Sequence, residues 1–574
     1  MKKLLLLVLI MAMSITLLSA CSGNNEEKAD NAAITGEAKG TEATEGTDAT
    51  EGIDGIKGMK DGKFDPPITI TTARWVTTST KFKDGETIED NVHTRWMKDK
   101  LGIEVKQLWT TGDQEGYGTK IRLSMASGQP LPDVFFETNL VLQGELMQSG
   151  KVLDISEAFD KYASPRIKEL YAQYPDTLKA FTKDGKLMAL PVLKDGDGTD
   201  SIMWIRQDWL DKLKLQVPTT LDELDKVMDA FVNQDPDGDN KKNTIGLSIS
   251  LKNGMSSWMS EGSWIAGAYG DFLPQQWGKA EDGTLVYGGI QPNVKQAIGT
   301  LADWYKKGYL DPEASIIDEV KASESFVNGK SGILVGPSWA YGWPLADTLK
   351  NVPDADIQPI KLPAGPDGNV GRRGINPYEG VLFFNKDFQH MEAFFYYLDQ
   401  LYNRAFEVKD SEFYYGYHDG YDYLMKDGKP VYGKDNIGGD YTPTHYLLTA
   451  QEPMIPFEGL ELLKKVTAEG YTLDANAAPS ELKLASADKH NLTGKMLMKE
   501  QFDSRILNQF NSPPTKTMES KNELLNKMEL ETLSKIVYNR EPIDYFDTFV
   551  ANWKKSGGDQ ITAEVNEWYQ ATSK

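Results

Sequence analysis

Cysteine is nearly absent from this chain. Cys21 is the one thiol in 574 residues, so no internal disulfide can form and thiolate metal sites are excluded. Histidine is almost as scarce, with five residues and no two at metal-ligand spacing. Positive charge is in deficit: 62 Lys and Arg stand against 85 Asp and Glu, a formal net charge of −23. Binding a phosphate backbone needs a basic surface, so this balance argues against nucleic acid as a partner. It argues equally against broad adhesion to anionic lipid. Beyond the first 20 residues, no stretch approaches the ~20 consecutive apolar residues of a helical membrane span. The chain also lacks a G-x-S-x-G elbow, an H-E-x-x-H pair, a phosphate-binding P-loop and any repeat of solenoid period. Paired carboxylates for glycoside hydrolysis need proximity in space rather than in sequence, so that chemistry stays open.

What is present begins at the first residue. Lys2 and Lys3 precede the apolar run LLLLVLIMAMSITLL, which ends in Leu18-Ser19-Ala20-Cys21. A short basic region, a run too short for a stable span and small residues before a cut read as an export signal over residues 1–20. The Leu-Ser-Ala-Cys tetrad resembles the lipobox of bacterial lipoproteins. That resemblance implies cleavage before Cys21, acyl chains such as palmitate on the new N-terminus, and a tether at the extracellular face of the cell membrane. Several chains anchor stably where one does not. An ordinary secretion signal with an incidental cysteine is the alternative. Residues 21–63 are rich in Gly, Thr, Ala, Glu and Asp. With almost nothing to bury, they read as a disordered, acidic, self-repelling linker.

Roughly 550 residues follow the signal, enough for about two to four domains. ITITTARWV, the helix-like NVHTRWMKDKLG, IEVKQLW, a further helix and DVFFE alternate as in a parallel α/β layer. Leu224, Val227, Met228 and Phe231 recur at helical spacing behind Thr220 and Glu223, which read as a capping box. TIGLSIS, a Trp-rich stretch, a helix over NVKQAIGTLADWYKKGYL and the apolar strand SGILVGP give a second α/β run. Residues 410–450 are Tyr-rich and irregular, and the last hundred or so read as mostly helical.

Several segments together carry a resemblance. MASGQPLPDVFFE, DGKLMALPV, WIRQDWLDKLKLQVPTTLDEL and FVNGKSGILVGPSWAYG resemble, in order and spacing across most of residues 65–390, the family 1 extracellular solute-binding lipoproteins of carbohydrate ABC importers. The resemblance implies a two-lobed, periplasmic-binding-protein-like α/β fold with hinge crossovers and a mostly helical C-terminal part. It places lobe one at 64–193 plus 372–450 and lobe two at 194–371 plus 451–574. It implies a monomer that captures an oligosaccharide in the interlobe cleft, carries out no reaction, and delivers it to the membrane permease subunits of an ABC transporter. A surface-anchored polysaccharide-active enzyme, hydrolase or lyase, is the rival reading. A binder of a non-carbohydrate solute such as a peptide is another.

Three constellations could carry chemistry. In DPDGDNKKNT, Asp235, Asp237 and Asp239 alternate, followed by the Lys241 carbonyl and Asn243, with Thr244 as an extra oxygen. A hard cation such as Ca²⁺ takes six to eight oxygens from a turn of this kind, and the positions match an EF-hand-like loop. Asn240 stands where such loops have glycine, and Gly246 where they have glutamate. A solvated acidic turn is the plain alternative. The second constellation is aromatic: Arg74 and Trp75 after the first strand, Trp258, Trp264 and Tyr269, then Trp339, Tyr341 and Trp343, then Tyr378 with Glu379. They sit in Gly/Ser/Pro-rich segments rather than at helical period. Binding sites combine aromatic walls with a few oriented polar groups, and sugar rings stack on such walls. The third is Arg372-Arg373, whose guanidinium forks read carboxylates such as a uronate, or form ordinary surface pairs in so acidic a chain.

Overall fold

The computed structural model describes residues 58–572 apart from 78, 79, 84, 197, 440, 442, 458, 475 and 513. The signal segment, Cys21 and most of the linker lie outside the described residues. In chain order the elements used below are β1 (Ile68–Trp75), β2 (Ile103–Thr111), β3 (Val134–Glu137), β4 (Leu190–Leu193), β5 (Ser201–Arg206), α1 (Leu221–Asn233), β6 (Ile245–Ser248), α2 (Ser263–Tyr269), β7 (Ser331–Pro337), β8 (Ile357–Ile360), β9 (Arg372–Arg373), β10 (Tyr378–Phe384), α3 (Met391–Ala405), α4 (Pro479–Ala485), α5 (Lys489–Glu500), β11 (Arg505–Ile506) and α6 (Lys516–Val537).

Two large hydrophobic cores organise them. In the first, β1 and β2 pair in parallel from Ile68↔Ile103 to Trp75↔Thr111. β10 lies between β3 and β4, antiparallel to both. Phe135, Phe136, Phe383, Phe384 and the apolar face of α3 fill this core. The folded body begins before residue 64: Met59–Lys60 pairs with Lys63–Phe64, and Phe64 is buried. This short hairpin packs on Gly102, which ends the helix before β2 at φ 69 and where a Cβ would collide with the Phe64 backbone. Only glycine tolerates both demands.

The second core forms around a four-stranded sheet in the order β6-β7-β5-β8, with β6 and β7 parallel and the other pairs antiparallel. All six residues of β5 and all seven of β7 are buried. Central strands covered on both faces read as continuous apolar runs rather than as alternation. α1 buries Leu224, Val227, Met228 and Phe231 as its periodicity required. Its cap differs in detail. Thr220 Oγ1 accepts from the Glu223 N–H, but the Glu223 carboxylate reaches one residue further back, to the N–H and hydroxyl of Thr219.

The C-terminal part divides. Phe510, Leu525, Leu533, Phe546, Trp553 and Val565 complete the second core. Leu463, Val466 and Leu492 form a small core of their own, and the Ser480 N–H, in α4, donates to Glu407 on the side of the first core (2.7 Å). Two connections pass between the large cores, 194–200 from β4 to β5 and 374–377 from β9 to β10; beside the first, residues 451–457 lead from the first core to the small one, and their Met454 and Phe457 N–H groups bond the Leu193 and Asp195 carbonyls. β9 is fastened by parallel pairing to β11. Behind it, α2 approaches so closely that a Cβ on Gly267 would collide with the Gly371 carbonyl.

Candidate functional site

β6 and β7 run in parallel, so the segments that follow them leave the sheet at the same edge. In open α/β sheets, ligands bind outside the carboxyl ends of the strands. The chain after β7 turns through Ser338–Tyr341 and presents Trp339; the chain after β6 presents Trp258. The Trp258 ring lies parallel to both neighbours, 5.8 Å and 18° from Trp339, and 6.2 Å and 11° from Trp343. The indole N–H of Trp258 donates to Glu319 Oε1 (2.6 Å), and that of Trp339 to the Gly198 carbonyl in the first connection (2.7 Å). These bonds satisfy the polar edges and leave ring faces open: Trp339 is 39% exposed and Trp343 46%. Tyr341 stands behind them, stacked on His490 at 4.1 Å.

A polar pocket of about 350 Å³ opens where β9, β11 and the segment before α2 meet, lined in part by Ser256, Gln275, Gln276, Arg373, Asn376 and Asn508. Successive side chains of a strand point to opposite faces. Arg372 therefore turns inward, where its Nε and Nη2 donate to the two Asp200 oxygens (2.6 and 3.0 Å) and its remaining N–H groups reach the Met498 carbonyl and Ser504 Oγ. Arg373 turns to the pocket. Gln275 accepts from the Ser256 N–H, and Asn508 Oδ1 from the Trp277 N–H. Gln276 is buried and its Oε1 has no partner among the described residues. Glu261 is buried nearby; burial pushes its carboxyl up while Ser263 and, at longer range, Arg373 pull it down.

Other residues expected at the site lie elsewhere. Trp264 is a core residue, 1% exposed beside Trp304, with its indole N–H on the Glu261 carbonyl. Arg74 is also buried, and its guanidinium donates to the carbonyls of Ala73, Leu447 and Leu448, holding the irregular 410–450 segment against β1. Trp75 packs edge-on against Tyr117 at 5.1 Å, half-buried. The Tyr269 hydroxyl bonds Thr300 Oγ1, and its ring packs on the second core. Tyr378 meets Phe181 edge-on, and the exposed Glu379 faces Lys194 at 3.8 Å. Spacing in the sequence did not reveal Gln275, Gln276 or Asn508, which the β9–β11 pairing and the Trp277–Asn508 hydrogen bond bring to the pocket across long stretches of chain.

The acidic loop after α1 gathers as its alternation implied: oxygens of Asp235, Asp237 and Asp239 lie within 4.8 Å of one another. Asn240 takes φ 59, the left-handed conformation its position demands and which Asn tolerates. Thr244 does not join the loop; its hydroxyl donates to the Phe231 carbonyl at the end of α1. Lys330 reaches in from the start of β7, its ammonium 2.7 Å from Asp237 and 3.0 Å from Asp239. Hydrogen bonds from Asn243 and Lys330 hold the Asp239 carboxyl down to about 2. The carboxylate set therefore suits a hard cation, with an internal ammonium as its competitor.

Comparison with known proteins shows what the chain and its fold are similar to. A family described as bacterial extracellular solute-binding protein matches residues 92–371. Lipoprotein LipO of Bacillus subtilis is 22% identical over 483 residues, covering 82% of this chain and 87% of that protein. The fructooligosaccharide ABC transporter substrate-binding protein FusA of Streptococcus pneumoniae is 28% identical over 259 residues, 42% of this chain and 45% of that one. An EF-hand mutant of FusA in complex with fructo-nystose superposes with a TM-score of 0.57 at 18% identity, covering 88% of this chain and 99% of that structure. An extracellular solute-binding protein from Bifidobacterium longum subsp. infantis superposes with a TM-score of 0.61 at 17% identity, covering 89% and 99%. These structures share the two-lobed, periplasmic-binding-protein-like α/β fold expected from the sequence.

Proposed function

We propose that this chain, whose residues 92–371 match the family of bacterial extracellular solute-binding proteins, captures an oligosaccharide between its two lobes and hands it unchanged to the permease subunits of an ABC importer. The cluster of Trp258, Trp339 and Trp343 carries the reading. The partly exposed indole faces of Trp339 and Trp343, stacked against Trp258, with the Trp339 N–H tied to a connection between the cores, suit stacking on the C–H faces of sugar rings. The amides and Ser256 of the adjacent pocket suit hydroxyl groups. Closure of the lobes would exclude water and strengthen both kinds of contact. Among relatives, FusA is described as binding fructooligosaccharides, which supports a saccharide ligand here.

The protein works as a monomer, tethered outside the cell by lipid on Cys21; the lipoprotein relative supports the anchor, and no described helix is long and apolar enough to cross a membrane. Asp235, Asp237, Asp239, the Lys241 carbonyl and Asn243 would hold a structural Ca²⁺, an assignment supported by the gathered carboxylates. That ion would hold the loop between α1 and β6 in shape and take no part in ligand chemistry. Calorimetric titration with an oligosaccharide panel, followed by size analysis of the recovered sugar, tests the function. Binding with intact recovery is expected. Cleaved products, or no affinity for any oligosaccharide, would overturn it in favour of an enzyme or a binder of another solute.

A further inference from the structure

Arg373 stands apart from the other cation of its dipeptide. Arg372 is saturated by Asp200, Ser504 and Met498. Arg373, half-buried on the opposite face of β9, has neither an ion pair nor a side-chain hydrogen bond among the described residues, although the chain carries 85 carboxylates. Glu261 acts on it electrostatically, but the Glu261 Oε2 accepts from the N–H and hydroxyl of Ser263 and no hydrogen bond joins Glu261 to the guanidinium among the described residues. The guanidinium borders a 350 Å³ pocket whose other walls are the amides Gln275, Gln276, Asn376 and Asn508. A planar fork with five donors and no partner fits a carboxylate, which it grips with two parallel hydrogen bonds. The unpartnered Gln276 oxygen supplies an acceptor for a hydroxyl. A neutral sugar would leave the guanidinium without an acceptor of opposite charge.

We propose that this pocket reads a carboxylate on the bound saccharide, with Arg373 as the residue that sets preference for acidic over neutral sugars. The inference rests on the saccharide-capture reading above. The pocket is of a size to receive one or two sugar rings, so the acidic residue sits at one end of the ligand.

The test is a titration, followed by tryptophan fluorescence and calorimetry, with galacturonate, mannuronate and glucuronate-containing trimers, each paired with its full methyl ester, and with neutral trimers. At least one acid is expected to bind about tenfold or more tighter than its ester, the range of a charge-assisted hydrogen bond. Arg373→Gln should remove that margin, weakening the acid far more than the ester, while Arg373→Lys keeps part of it. Melting curves show whether each variant is folded; should Arg373→Gln not fold, the acid-to-ester ratio of the unaltered protein and its decline with added salt decide. Equal binding of acids and esters, equal weakening of both by Arg373→Gln, or binding of neutral trimers alone would overturn the carboxylate assignment and leave the capture reading standing. Failure of every saccharide to bind would overturn both.

Discussion

Trp339 illustrates how one side chain can serve recognition with little weight in the fold. Its indole N–H is held by the Gly198 carbonyl, its ring rests near Trp258, and 39% of its surface remains open. Trp339→Ala is expected to weaken oligosaccharide binding by about 1–4 kcal/mol, the range of an anchor residue, and to leave the melting temperature nearly unchanged. A large loss of stability with unaltered affinity would assign it to the fold instead. Arg372 is the opposite case. Its removal would leave the Asp200 carboxylate, pushed up by burial and pulled down chiefly by Arg372, without its partner. Arg372→Leu is expected to cost about 3–5 kcal/mol in denaturant unfolding, and adding Asp200→Leu should recover a large part of it. A single variant as stable as the unaltered protein would contradict this.

At the scale of elements, the loop between α1 and β6 tests how far spacing alone predicts chemistry. Ca²⁺ added to metal-stripped protein is expected to raise its melting temperature, because an ion that binds only the folded state stabilises it. Asp237→Ala should abolish the rise. Lys330→Met should strengthen calcium binding, since the ammonium between Asp237 and Asp239 no longer competes. Affinity unaltered by Lys330→Met would show that the side chain swings aside at no cost. Two residues of the loop behave differently from each other. Asn240 meets the backbone requirement of the glycine it replaces, whereas Thr244 is withdrawn by α1 because an unpaired carbonyl at a helix end offers it a bond.

Across the whole molecule, the Tyr-rich excursion of residues 410–450 is fastened by a buried pair. His93 Nδ1 lies 3.0 Å from His418 Nε2, and His93 Nε2 lies 2.9 Å from the Tyr397 hydroxyl. Burial pushes both imidazoles down, His93 well below 6.5 and His418 to about 4. The folded protein thus keeps the rings neutral where the unfolded chain would protonate them. Their contribution is intact above pH 6.5 and declines as pH falls from 6.5 toward 4, by on the order of 3 kcal/mol for His418. Urea unfolding at stepped pH measures this; His418→Gln should flatten the slope, and an unchanged slope would exonerate the pair. Ligand addition should also compact the molecule in small-angle scattering as the lobes close, and an unchanged radius of gyration would contradict the closing cleft.

The sequence by itself determined the strands and helices whose signals are local. SGILVGP is a nearly unbroken apolar run because it lies inside a sheet covered on both faces, and DPDGDNKKN holds its oxygens within nine consecutive residues, so both were legible. PSWAYGWP likewise set its tryptophans outside helical period, without deciding their exposure. Burial and partnership were decided by the tertiary structure. Trp264 and Trp339 sit in equally Gly/Ser-rich contexts, yet one is sealed beneath the Trp304 helix and the other faces solvent. Arg372 and Arg373 are adjacent, and what separates them is Asp200, 172 residues away, together with the β11 strand that fixes which face each side chain takes. Local periodicity encodes an element because its hydrogen bonds close within a few residues. A pocket assembled from residues 256, 275, 373 and 508 depends on long-range pairings, and no short window of the chain contains them.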